Sequence, residues 1–221
     1  MLQKLGFSKA MAGRGVLLGL MCLMCAVFLT ACGNTDNAEA PGKPTTDTKS
    51  KVLVAYFSRA DENTGGVGYI ERGNTRILAE MIAEKTKAEL FEIKPAKPYP
   101  KEYTPTTELA KREKEEKARP EILGELPDIA QYDVIFLGYP IWWGDLPMAV
   151  YTFLEKENFA GKTIIPFCTH EGSGIGSTES YIADTTKAKV LSGLELRGNL
   201  AQNSREEAKR IVTEWLEKLG Y

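Results

Sequence analysis

Two short stretches hold the residues best suited to chemistry: Tyr139-Pro-Ile-Trp-Trp-Gly-Asp-Leu-Pro147 and Cys168-Thr-His-Glu-Gly-Ser-Gly-Ile-Gly176. Each begins where an apolar run ends, and each is followed by a helix-like segment. Two such loops at the carboxyl ends of neighbouring parallel strands form a ligand crevice. Trp142 and Trp143 suit a flat, stackable ligand. Gly172, Gly174 and Gly176 would let backbone amides approach its edge. Adjacent tryptophans point in divergent directions, so one is free to pack while the other stacks. A loop tryptophan alone is more often a packing plug, and a lone glycine-rich loop is equally ambiguous.

A third signal follows the first apolar run, which ends Tyr56-Phe57-Ser58. A helix pattern opens later at Gly73-Asn74-Thr75. The first amides of a helix lack partners and point outward, which makes an anion site when hydroxyl and amide side chains lie beside them. Asn74 or Thr75 could equally be a plain helix cap. The three signals together, each after a different strand, point to a bound aromatic cofactor carrying a phosphate.

His170 is the single histidine of the chain, and no cysteine cluster accompanies it, so a multi-histidine metal site is excluded. It would either donate to the ligand's ring edge or stand as a solvated loop residue. Cys168 ends an apolar run and is expected to be a buried small side chain rather than a redox group. No Ser-His-Asp arrangement is evident.

These loops need strands to carry them. Lys51–Phe57, Leu90–Ile93, Val134–Tyr139 and Thr163–Cys168 are continuous β-prone apolar runs, as expected for strands buried on both faces. Leu194–Leu196, with Val190 and Leu191, is a weaker fifth. Pro166 inside the fourth run predicts a missing ladder bond or a bulge. Helical patterns alternate with these runs. Ile77, Leu78, Met81 and Ile82 make one face. Met148, Val150, Tyr151 and Leu154 make another, with Pro147 in its first turn. Tyr181 and Ile182 mark a third. Ile211, Val212, Trp215, Leu216 and Leu219 make the last, opened by Ser204 with Glu207 as a capping box. The alternation predicts an α/β fold with a doubly wound parallel sheet of five strands. Pro95–Pro120 is an insertion with an extended start. Its charged part, Thr107–Ala118, is expected to be a solvated surface helix.

Residues 1–50 differ from the rest. Lys4, Lys9 and Arg14 precede an apolar stretch from Val16 to Leu29, short for a permanent span and typical of an export signal. It ends Leu29-Thr30-Ala31-Cys32, which resembles the bacterial lipoprotein processing box. That resemblance implies a signal peptide over residues 1–31, lipidation of Cys32 and a lipid anchor in the cell envelope. Residues 32–50 would form a flexible tether, with an r.m.s. reach of roughly 20–25 Å. Residues 51–221 suffice for one domain with a full core. The chain has 28 basic and 30 acidic residues. Removing the five and three of residues 1–50 leaves 23 and 27, a net charge of −4. That is no basic patch for nucleic acid.

Residues 51–221 resemble the flavodoxins, most specifically through Gly138-Tyr-Pro-Ile-Trp-Trp-Gly144. The resemblance implies a flavodoxin-like sheet in the order 2-1-3-4-5 and FMN as cofactor. Ser58, Gly73, Asn74 and Thr75 would surround its phosphate. Pro140, Ile141, Trp142 and Trp143 would flank the ring and ribityl chain. Thr169, His170, Gly172, Ser173 and Gly174 would meet the ring's polar edge. One departure stands out: fourteen residues, Arg59–Arg72, intervene between Ser58 and Gly73. They would cover the cofactor or dock a partner. The expected role is a membrane-tethered electron carrier between redox partners. The rivals are an FMN-dependent NAD(P)H:quinone-type reductase and a flavin-free binding lipoprotein.

Overall fold

The computed structural model describes residues 50–64 and 67–221. The expected signal peptide, Cys32 and all of the tether but Ser50 lie outside them. Among the described residues no helix is long and apolar enough to cross a membrane.

The first apolar run forms β1 (Val52–Tyr56), buried along its whole length. Its side chains alternate between two cores, as a period of two requires. Leu53, Ala55 and Phe57 join one core, and Val52, Val54 and Tyr56 the other. This double burial is why the run is apolar throughout. The expected second, third and fourth strands are β4 (Glu89–Glu92), β5 (Val134–Pro140) and β6 (Thr163–His170). All pairings within this main sheet are parallel, in the order β4-β1-β5-β6-β7, with β7 at Lys189–Val190. Counting only strands of this sheet, that is 2-1-3-4-5.

The fifth position is shared by two short pieces, β7 (Lys189–Val190) and β8 (Leu194–Arg197), which both pair with β6. Pro166 explains the break. Leu191 N–H still donates to Ile164 O at 3.0 Å. The next rung of a parallel ladder would come from the amide of residue 166, where proline has none.

Helices α1 (Asn74–Thr86) and α6 (Arg205–Lys218) cover one face; α3 (Met148–Lys156) and α4 (Thr178–Thr186) cover the other. Two helix starts differ from expectation. Pro147 sits at the cap position of α3, one residue before the helix. Ser204 precedes α6 but makes no side-chain cap bond. Its amide donates back to Leu200 O in α5 (Gly198–Asn203), and Glu207 pairs with Arg210 at 2.7 Å instead. The preceding short helix thus occupies the amide that a capping box needs.

Two elements were unforeseen or misplaced. The Arg59–Arg72 insert carries an antiparallel hairpin, β2 (Asp61–Asn63) with β3 (Gly68–Ile70). The charged insertion forms α2 (Tyr103–Glu115), which starts four residues earlier than expected and buries Thr106 and Ala110. It is therefore a wall of the cleft rather than a freely solvated helix.

Candidate functional site

A cleft of about 400 Å³ opens at the carboxyl ends of β1, β5 and β6. Of the expected residues, Asn74, Pro140, Ile141, Trp142, Trp143, Thr169, His170 and Ser173 line it. Ser58, Gly73, Thr75, Gly172 and Gly174 are not among its lining residues.

Several of these shape its surroundings. Gly73 holds the start of α1 against the chain leaving β1: an added Cβ would lie 2.3 Å from Ser58 Oγ and 2.5 Å from Arg59 O. Only glycine permits that approach. Ser58 Oγ accepts from the Arg76 amide at 3.0 Å, in the first turn of α1, and keeps its own O–H to donate. The Thr75 hydroxyl is buried and bonded to the Thr169 hydroxyl at 2.8 Å. It ties α1 to β6, so what Thr75 can offer a ligand is its backbone N–H. Asn74 lines the cleft, and its Oδ1 is buried with no partner among the described residues.

The tryptophan loop is a tight turn. Trp142 and Asp145 exchange backbone bonds of 2.9 and 3.1 Å. Trp143 (φ 53°) and Gly144 (φ 72°) both take the left-handed region, as in type I′ turns. A bulky residue there is strained, by roughly 1–2 kcal/mol. Neighbours from α2 hold it: Lys114 Nζ donates to Trp143 O at 2.7 Å, and Trp143 Nε1–H donates to Thr107 O at 2.9 Å. The two indoles do diverge. Trp142 packs edge-on against Phe57 and Tyr99, with centroids 5.2 and 5.0 Å away. Trp143 stays 54% exposed at the rim.

The third loop is positioned by residues that sequence reasoning missed. Glu195 on β8 accepts the Ile175 amide at 2.7 Å and so fixes the glycine-rich turn. Gly172, Gly174 and Gly176 all have positive φ, so side chains there would be strained. His170 Nδ1 accepts from the Gly172 amide at 2.9 Å. In neutral His170 the proton is then on Nε2, a donor for the cleft. Burial holds the imidazole's pKa below its ordinary value of 6.5; Glu195 opposes the shift and Arg197 adds to it. Glu171 accepts the Asn199 amide at 3.1 Å, and burial raises its pKa. Cys168 is fully buried, and burial pushes its thiol up to about 12, consistent with an inert side chain.

Arg59, Asn63, Tyr103, Thr106 and Thr107 also line the cleft, all from the two insertions. Among the described residues no group of three or more His, Cys, Asp or Glu side chains could hold a metal ion.

A family model described as Flavodoxin matches residues 51–219. The chain belongs to the flavodoxin family. Among solved structures it is similar to a putative flavoprotein from Bacteroides uniformis ATCC 8492 (32% identity, TM-score 0.57). That match covers 74% of this chain and 98% of the other. A putative flavoprotein from Bacteroides eggerthii DSM 20697 shares 29% identity with a TM-score of 0.60, covering 78% of this chain and 99% of that one. A flavoprotein in complex with FMN from Lactobacillus acidophilus NCFM shares 21% identity and a TM-score of 0.51, covering 68% and 95%. The comparison with curated proteins gave no match. The sheet order, the α1 start and the two loops place the cleft of this flavodoxin family member where strand order reverses, between β1 and β5.

The residues present fit an FMN. Asn74 Oδ1 needs a donor, which a ribityl hydroxyl supplies. The Ser58 hydroxyl and the first amides of α1 are donors for a phosphate. The indoles and Tyr103 present flat surfaces, and His170 Nε2 offers a donor to a polar ring edge.

Proposed function

We propose that residues 51–221 bind FMN in this cleft and act as an electron carrier, held at a bacterial envelope membrane through a lipid on Cys32. The observation that carries the reading is the convergence of three loops on one cleft with an unsatisfied Asn74 Oδ1 among them. The FMN complex of the Lactobacillus flavoprotein, on a similar fold, supports it.

In this reading the Ser58 hydroxyl and the amides of Asn74 and Thr75 hold the phosphate. Asn74 accepts from the ribityl chain. Pro140, Ile141 and Trp142 form the floor beneath the ring, and Trp143 closes it from the side of α2. Neutral His170 and Thr169 meet the polar edge with Ser173. When bound, FMN supplies reversible one- and two-electron transfer. The protein's part is to bind it, exclude water from one ring face and hold a neutral donor at its edge.

A second reading, an NAD(P)H-dependent reductase of small acceptors, is favoured by the extra wall. Tyr103, Thr106 and Thr107 of α2 line the cleft beside the exposed Trp143, and this added surface is where a nicotinamide or an acceptor would approach the flavin.

Titrating FMN into the purified full-length chain tests the cofactor. We expect stoichiometric uptake with quenched flavin fluorescence; no quenching at any ratio sinks the reading. Mixing the loaded protein with NADPH separates the two activities: slow or absent bleaching fits the carrier, rapid bleaching the reductase. Cys32→Ser should leave the chain unprocessed or released from membranes. Unchanged fractionation and mass would remove the anchor.

A further inference from the structure

Trp142, Tyr99 and Phe57 form one aromatic cluster. Trp142 meets Tyr99 with centroids 5.0 Å apart and planes at 88°, and meets Phe57 at 5.2 Å and 82°. Phe57 and Tyr99 lie 5.9 Å apart. Edge-to-face rings at this spacing are in contact. Trp142 lines the cleft, whereas Tyr99 is not among the lining residues and comes from the Pro95–Pro120 insertion.

The Tyr99 hydroxyl donates to Glu113 Oε2 at 2.5 Å. Tyr69, Tyr132 and Tyr151 also donate to carboxylates, but among the described residues none of their rings contacts a tryptophan. Burial holds the Tyr99 pKa above its ordinary value, so the phenol keeps its proton in the resting protein. Burial also raises the pKa of Glu113, against the bond from Tyr99 and the nearby Arg112, and makes its carboxylate a stronger proton acceptor.

The rings differ in oxidation chemistry. An indole loses an electron without shedding its proton at once. A phenol becomes strongly acidic when it loses an electron, so its oxidation is easy only where a base takes the proton. A phenyl ring resists both. The cluster therefore has one entrance, Trp142, and one exit, Tyr99 on Glu113.

We propose that Trp142, Tyr99 and Glu113 form a relay that carries an oxidising equivalent out of the cleft. The one-electron oxidant is a light-excited oxidised flavin, which takes one electron from Trp142 and keeps it for its acceptor. Tyr99 then gives one electron to Trp142 and its phenolic proton to the Glu113 carboxylate. Trp142 is restored, Tyr99 is left as a neutral radical and Glu113 as a carboxylic acid. A small reductant such as ascorbate returns the electron to Tyr99, and Glu113 returns the proton. The indole beside the ligand is thereby spared. For its oxidant the proposal rests on the FMN reading.

The test uses the full-length chain in detergent, loaded with FMN. It is flashed with blue light, and the absorbance of the neutral tyrosyl radical is followed in ordinary and heavy water. We expect the radical to form more slowly in heavy water, because a proton moves with the electron. Tyr99→Phe keeps the ring and should lose the signal, whereas Tyr69→Phe should keep it. Glu113→Gln keeps an acceptor oxygen for Tyr99 but no base, so formation should slow by at least about 100-fold. A tyrosyl signal that survives Tyr99→Phe, or a rate unmoved by Glu113→Gln, overturns the proposal. Should either variant fail to fold, Trp142→Phe decides: it should lose the signal, and a native signal there overturns the relay. The apoprotein, oxidised by a flash-generated ruthenium(III) tris-bipyridine complex, separates the two readings. A chain that binds no FMN overturns the FMN reading; a Glu113-dependent Tyr99 radical in its apoprotein supports the relay, and none overturns both. A chain that binds FMN without forming that radical overturns the relay alone.

Discussion

The floor of the cleft and its outer wall are built from different interactions. The floor is the sheet. β1, β5 and β6 are buried on both faces, and Phe136 on β5 is fully buried against Trp215 and Tyr221, with centroids at 5.6 and 5.4 Å. The wall is α2, the β2–β3 hairpin and the Trp143 turn. It buries few apolar side chains and hangs on single polar ties. Arg59 grips carbonyls, Glu62 accepts the Tyr103 amide at 2.8 Å, Tyr99 donates to Glu113 at 2.5 Å, and Lys114 holds the turn. Apolar burial is cooperative with global stability, whereas such ties open locally at low cost. The floor can therefore keep a ligand's position while the wall adjusts.

Breaking the floor should cost most. Phe136→Ala removes a fully buried ring and should lower stability by about 3–5 kcal/mol in denaturant unfolding. A loss below about 1 kcal/mol would show that the core relaxes around the gap. Gly73→Ala attacks the joint between β1 and α1. Its methyl would meet the backbone of Arg59, so a loss of about 1–3 kcal/mol is expected together with weakened FMN binding. Native stability with native affinity would mean that the chain at residues 58–59 moves aside freely.

Lys114→Met breaks the wall. It keeps the aliphatic stem but removes the ammonium from Trp143 O and from Asp145, 3.5 Å away. The ion pair is partly exposed, so global stability should change by less than about 1 kcal/mol. Hydrogen exchange should quicken in α2 and the Trp143 turn while β1 and β5 stay protected. Uniform exchange changes would mean floor and wall are one cooperative unit.

The smallest expected effect concerns the glycine-rich loop and pH. The folded state lowers the pKa of His170, so the unfolded chain binds its proton more readily. That stabilising contribution is present above about pH 6.5, the ordinary histidine value, and is lost as pH falls through the lower folded value. Protonation would also cost Nδ1 its bond from Gly172. Relative to His170→Gln, the native protein should lose extra stability below pH 6.5. Parallel stability–pH curves would remove His170 from the account.

Much of the floor was legible in the residues. Continuous apolar runs gave β1, β5 and β6, because strands buried on both faces have no polar side to show. The split fifth strand was blurred, since two short pieces carry little pattern. Its cause, Pro166, was nevertheless visible as a lost donor. The wall was largely illegible. Asp61-Glu62-Asn63 has low strand propensity, and its pairing is supported by Arg59 and by a bond from the Glu62 amide to Lys101 O. The sequence pattern of α2 reads as a solvated helix because its cleft-lining residues, Thr106 and Ala110, are too small to mark a face. The Ser204–Glu207 box failed because α5 ends on the very amide it required.

The sequence by itself determined the buried strand runs, their alternation with helices and the loops that flank the cleft, and the resemblance carried by Gly138–Gly144 implied the family and its sheet order. The runs depend on local periodicity and the loops on short motifs at strand ends. Tertiary structure alone decided that Trp142 packs while Trp143 rims the cleft, and that Thr75 turns inward to Thr169. It also left Arg59 among carbonyls without a counter-charge. Those outcomes depend on which distant groups arrive beside a side chain, and residues 59, 75, 100 and 169 carry no mark of their proximity until the sheet and its insertions close around them.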